Sequence, residues 1–196
     1  MSSTVKNILI VVGVLLLIGI FFVSPYNTMV SKDETVKKYW NNVETQYQRR
    51  YELIPNLINT VKGVANFERG VLEAVTQARS SVGSMKIDPN NLTPENIQKF
   101  EAAQSQMSSA LSRLLVVSEQ YPQLRATESF RDLQAQLEGT ENRIGKARDD
   151  FNGAIQEYNT YIRKFPNNIT AGLFGFAQKE GFKSEKGAEK APKVQF

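Results

Sequence analysis

Between about residues 28 and 165 the apolar residues recur in steps of three and four, a spacing that sustains amphipathic helices and little else. The first series runs Val36, Trp40, Val43, Tyr47, Tyr51, Ile54, Leu57, Val61 and Val64, then Val71, Val75, Ala78 and Val82, with Glu68 in the position skipped. A second begins at Thr93-Pro94-Glu95, a cap residue followed by proline at the first helical position and an acid in the first turn. It carries Ile97, Phe100, Gln104, Met107, Leu111 and Leu114 and ends before Tyr121-Pro122. The third starts near Thr127, carries Phe130, Leu133, Leu137, Thr140, Ile144, Ala147, Phe151, Ala154, Tyr158, Ile162 and Phe165, and meets Pro166. The fold class is therefore all-α, an antiparallel up-and-down bundle of long helices.

Pro55 decides whether the bundle has three or four segments. If it only kinks the first helix, residues 28–82 form one rod of about 80 Å, too long for the other two helices to cover, which leaves the Trp40 to Tyr47 face bare. If the chain turns there, four segments bury every stripe. The unbroken phase and the lack of Gly beside Pro55 favour the rod, burial favours the turn, and the turn is the expectation.

Ahead of the stripes, residues 8–23 read ILIVVGVLLLIGIFFV without one polar side chain, flanked by Lys6 and Asn7 on one side and Ser24, Pro25 and Tyr26 on the other. As a helix the run measures about 24 Å, a little short of a ~30 Å hydrocarbon core, and Lys6 and Tyr26 are suited to the headgroup levels. A cleaved signal peptide has the same apolar length, but the small-residue exit is missing and a proline occupies the junction. The organisation expected is a flank at 1–7, a single transmembrane helix at 8–24, a bundle domain at 28–165 and a partly disordered tail at 166–196. Lys32, Lys37 and Lys38 after the run, against Lys6 before it, lean toward a cytoplasmic bundle.

The chain contains no Cys and no His, which excludes disulfides, thiolate nucleophiles, zinc fingers and any catalytic imidazole. A bundle di-metal centre of the Glu-x-x-His kind is excluded too, leaving only an oxygen-ligand site around Glu68 and Glu141 to consider. No cofactor, metal or small-molecule substrate is expected. The net charge of +4 comes with no basic block interleaved with aromatics, so nucleic acid is not an expected partner.

The candidate residues are polar and border the stripes. Glu141, Arg148, Asn152 and Asn159 are spaced seven, four and seven apart and share one side of their helix, while Arg49, Arg50, Asn56, Glu68 and Arg79 belong to the first pattern. Such a set either fixes helix register through mutually satisfied pairs or lines a groove for a partner. In the tail, Phe174 and Phe176 in the stretch AGLFGF have the character of bilayer or bundle contacts, and Val194 and Phe196 form a C-terminus of the kind that a sheet-edge groove takes up.

Several of these residues fall into a longer pattern: Tyr26-Asn27, Trp40, Val43, then Gln48-Arg49-Arg50 running into Leu53-Ile54-Pro55-Asn56-Leu57 and Thr60-Val61-Lys62-Gly63. It continues through Phe67-Glu68, Ala78-Arg79, Tyr121-Pro122-Gln123-Leu124, Glu141-Asn142-Arg143-Ile144, Ala147-Arg148, Phe151-Asn152, Tyr158-Asn159, Phe165-Pro166 and Pro192-Lys193-Val194. In this the chain resembles the bacterial LemA family over nearly its whole length. Asn66 and Phe151 depart from the pattern, standing where the family more usually has His and Tyr. The resemblance implies a single-pass membrane protein with a helical bundle and adds no activity.

The function expected is therefore non-catalytic: an anchored bundle that recruits protein partners at the membrane. The alternative is a structural envelope protein that self-assembles into homo-oligomers or covers the bilayer.

Overall fold

A computed structural model describes residues 2–63 and 67–183, apart from the side chains at 14, 15, 17, 18 and 20. Among them are six helices and no strand: α1 (Ser3–Lys62), α2 (Arg69–Gly83), α3 (Pro94–Ser118), α4 (Pro122–Arg125), α5 (Glu128–Arg163) and α6 (Asn167–Phe174). The all-helical expectation is met. The division into segments is not the one expected, because α1 runs through both Pro25 and Pro55 to Lys62, and the next helix begins at Arg69.

This break escaped the sequence pattern for a physical reason. The apolar phase continues from Val61 to Val71 across the break, so periodicity alone cannot see it. Phe67 in the connection is buried, its ring 5.0 Å from that of Tyr121 in the turn leading to α4. Glu68, which the pattern placed in mid-stripe, is exposed and precedes the first residue of α2. The remaining boundaries follow local chemistry: the Thr93 hydroxyl accepts from the Asn96 amide to cap α3, with Pro94 at the first position, and α5 starts directly after Thr127.

Four segments, α1, α2, α3 and α5, alternate in direction. Lys32 pairs with Glu157 and Arg50 with Glu141, so α1 and α5 run antiparallel along most of the length of α5. The stripes meet in two apolar clusters. One contains Ile54, Leu57 and Val61 of α1, the buried face of α2, Met107, Leu111 and Leu114 of α3, and Phe130, Leu133 and Leu137 of α5. The other contains Met29, Val36, Trp40, Val43 and Tyr47 with Ile97 and Phe100 of α3, Ile144 to Ile162 of α5, and Phe182.

The second cluster answers the objection that a long α1 leaves its Trp40 face bare. At 15 residues, α2 reaches only the first cluster, and the chain after α6 fills the remainder. Phe182 is buried, stacked on Trp40 at a ring separation of 6.0 Å and edge-on to Phe151 at 5.7 Å, while Trp40 also meets Phe100 at 5.2 Å. Residues 167–183 are thus a folded part of the bundle domain, and the expected boundary at residue 165 does not separate a tail from a core. Phe165, expected to close the α5 stripe, is 81% exposed because α5 ends at Arg163.

The apolar run 8–23 lies within α1. Among the described residues no helix is long and apolar enough to cross a membrane. Of the described apolar side chains of this part, Ile8, Leu9, Ile10, Val11, Val12, Leu16, Phe21 and Val23 are exposed and Phe22 is half-buried.

Candidate functional site

Between the two apolar clusters lies a polar layer centred on Arg50. Its position on α1, between Tyr47 and Ile54, turns the side chain inward, where it is 2% exposed. The guanidinium donates to Gln104 Oε1 at 2.6 Å, to the Gln104 carbonyl at 3.3 Å, to Ser108 Oγ at 2.8 Å and to Glu141 Oε2 at 2.8 Å. It also lies 5.0 Å from the Tyr47 ring. One cation therefore ties α1 to α3 and α5 at a single height. A buried charge held by four hydrogen bonds to two other helices penalises any sliding of the three helices past one another.

Arg148, two turns further along α5 than Glu141, donates to Glu101 Oε1 of α3 at 2.6 Å and covers the Phe182 ring at 4.5 Å. Above these pairs, α3 and α5 stand apart and leave an open groove of about 760 Å³. Ser105, Ser109, Ser112 and Gln98 line its α3 side, Glu141 and Arg148 its α5 side, and Glu180 and Lys183 its end.

Asn152 and Asn159 do something the sequence did not disclose. Asn152 donates Nδ2 to the Phe182 carbonyl at 3.1 Å and accepts the Phe182 amide at 2.9 Å. Asn159 does the same with Lys179, at 2.8 and 2.9 Å. Each side-chain amide thus pairs with one residue of the returning chain as a neighbouring strand would. The spacings match, since seven residues of helix rise about 10.5 Å and three residues of extended chain span about 10 Å. Two residues before the Lys179 clasp, Tyr158 donates to the Ala177 carbonyl at 3.1 Å, and between the clasps Gly181 lies so close that a Cβ there would overlap Asn152 Oδ1. Burial, with the Asp33 charge beside it, pushes the Tyr158 phenol up to about 12, so the hydroxyl stays a donor through neutral pH.

Lys179 completes the docking through Asp33 at 2.8 Å. Burial alone would raise the Asp33 carboxyl, but hydrogen bonds and charge attraction from Lys179 and Lys37 outweigh it and hold the group below the usual carboxylate value.

The other predicted residues are dispersed. Arg49 is exposed at the rim of a second open pocket, about 790 Å³, between α1 and the α2–α3 connection, where burial raises the Glu44 carboxyl. Asn56 is exposed on α1. Arg79 lies 4.2 Å from the Tyr51 ring, with its Nε buried and unpartnered, and joins α2 to α1. Glu68 pairs with Arg113 at 3.4 Å and Glu141 with Arg50, so the two carboxylates considered for a cation serve different arginines. No group of three or more acidic, His or Cys residues placed to hold a metal occurs among the described residues. Phe174 and Phe176 meet Tyr26, at ring separations of 4.9 and 5.6 Å. Asn66, Val194 and Phe196 lie outside the described residues.

Glu101 and Ser108 look like ordinary members of a helix and Gln104 reads as a member of the apolar stripe, while the partners of Lys179 and Phe182 stay hidden because the tail composition reads as low in structure. The available signal was the seven-residue spacing of Asn152 and Asn159 on a helix otherwise rich in charge.

Comparison with known proteins agrees with the motif pattern. A family described as "LemA family" matches residues 39–196. The chain is 29% identical over 177 residues to Magnetosome protein MamQ 2 of Paramagnetospirillum magneticum, covering 82% of this chain and 65% of that protein. It is 27% identical over 174 residues to Magnetosome protein MamQ of Magnetospirillum gryphiswaldense, covering 80% and 64%. Protein LemA of Metamycoplasma hominis is 23% identical over 170 residues, covering 85% and 74%. The chain spans less than two thirds of the length of the magnetosome relatives.

Two outcomes are expected of the site. Arg50→Ala lowers unfolding free energy by about 2–4 kcal/mol, because buried Gln104 and half-buried Ser108 lose their donor, whereas Glu141→Gln costs under about 1 kcal/mol, its side chain being 57% exposed. Denaturant titration checks both, and equal losses would contradict the assignment of the layer to its buried amide and hydroxyl partners. A lowered carboxylate stabilises above its unfolded pKa and loses that contribution as pH falls through its folded value. Acidification below about 4 therefore weakens tail docking. Hydrogen exchange at the Lys179 and Phe182 amides accelerates relative to core amides such as Met107, and Asp33→Asn flattens that pH dependence. A response unchanged in Asp33→Asn would remove Asp33 from the docking.

Proposed function

The chain belongs to the LemA family, and from that premise we propose that it is a membrane-anchored, non-catalytic scaffold that recruits protein partners. The anchor is the run 8–23, whose sixteen residues carry no polar side chain and whose ends offer Lys6 and Tyr26 to the two headgroup regions. The bundle lies on the cytoplasmic side, following Lys32, Lys37 and Lys38.

The observation that carries the recruiting role is the open groove between α3 and α5. Exposed Ser105, Ser109 and Ser112 face the paired charges of Arg148–Glu101 and Arg50–Glu141 across it. Hydroxyls and amides backed by arginines already held in place are the chemistry of polar recognition, with little ordering cost on binding. The pairs at its floor lock the helices on either side, so the groove keeps its shape when empty. The adjoining Asn152–Asn159 clasp supports a polypeptide as the partner class, since the same helix already holds extended chain through its backbone.

A photo-crosslinking residue at Ser109, in the full chain in cells, is expected to capture discrete protein partners that the same residue at Val116 does not, Val116 being exposed on α3 outside the groove. Identical capture at the two positions would contradict recruitment through the groove.

A further inference from the structure

From Phe165 to Gln178 the chain carries no charged residue, fourteen positions that include all of α6. Thr170 and Ala171 bury one face of this helix, and Ala171 joins the cluster that contains Met29 of α1. The other face is apolar and bare: Ile169 and Leu173, one helical turn apart, are 48% and 68% exposed, flanked by Phe174 at 50% and Phe165 at 81%. Four large exposed apolar groups on so short a segment form the kind of patch that marks a contact surface.

Its place in the fold says what the contact is. Phe174 and Phe176 pack on Tyr26, and Tyr26 follows the end of the apolar run by three residues, about 4.5 Å along α1. Whatever level in the bilayer α1 gives to Val23, α6 lies at the headgroup level just beyond it. Arg163 and Lys164, exposed immediately before Phe165, add cations where lipid phosphates lie. A protein partner would have to reach this face through the lipid headgroups, whereas the bilayer already borders it.

We propose that α6 and Phe165 form a second, interfacial membrane contact, in which Phe165, Ile169, Leu173 and Phe174 enter the headgroup–acyl boundary beside α1. The inference rests on the anchor reading of residues 8–23. With two contacts instead of one, the bundle has a fixed tilt on the membrane, and the α3–α5 groove a fixed direction.

The absence of cysteine makes the test direct. The full chain is prepared as Leu173→Cys, Leu16→Cys and Val116→Cys, labelled with a polarity-sensitive fluorophore and reconstituted in phosphatidylcholine–phosphatidylglycerol vesicles with or without lipids spin-labelled both near the top and near the end of the acyl chain. The labels at Leu173 and Leu16 are expected to shift to the blue and lose about half their emission to the lipid-borne quencher, with Val116 unaffected. Circular dichroism confirms that each variant is folded. A Leu173 label that behaves like Val116 while Leu16 is quenched overturns the α6 contact and leaves the anchor standing. Quenching at Leu173 without Leu16 supports the contact and overturns the anchor, and quenching at neither position overturns both.

Discussion

Everything in this structure is hung on α1. Sixty residues continue as one helix, about 90 Å, through two prolines that each remove a backbone hydrogen bond. An interior proline costs a helix on the order of 3 kcal/mol, and an isolated helix would break at one of them. Burial of the Met29 to Val61 stripe against α5, α2 and α3 offsets that cost at Pro55, and Met29 with the Tyr26 aromatic contacts holds the helix just past Pro25. The consequence is mechanical: the apolar run and the bundle share one helix, so they move together.

Along this spine the polar residues divide the labour by burial. Arg50, almost fully buried, sets the height of α3 and α5 against α1 at the boundary between two apolar clusters. Half-exposed Asn152 and Asn159 hold the returning chain by its backbone, and the Phe182 ring that this delivers closes the cluster around Trp40. Residues that register helices and residues that bind an extended segment are therefore neighbours on α5. The open groove next to them is shaped by the first kind and has the chemistry of the second.

Much of the helix content was legible, because apolar periodicity and caps such as Thr93-Pro94 are local signals. The position of the first turn was not: the phase from Val61 to Val71 carries through the break, and a turn at Pro55 is favoured only while the Trp40 face lacks a cover, which Phe182 of the returning chain supplies. The candidate residues were visible as a set but not their partners. A seven-residue Asn spacing discloses a clasp only when an extended segment with a three-residue repeat is brought beside it, and the Lys179 to Phe182 stretch is brought there by α6, through packing that composition does not encode. Phe165 erred in the other direction, being in phase with the stripe yet beyond the end of its helix.

A distance between spin labels on Val12→Cys and Asn41→Cys, both exposed on α1, tests the coupling of run to bundle most directly in the full chain in lipid vesicles. An unbroken helix places positions 29 residues apart at about 44 Å, and one narrow distribution near that value is the expected result. A broad distribution, or one centred well below it, would show a hinge at Pro25 and contradict a rigid α1.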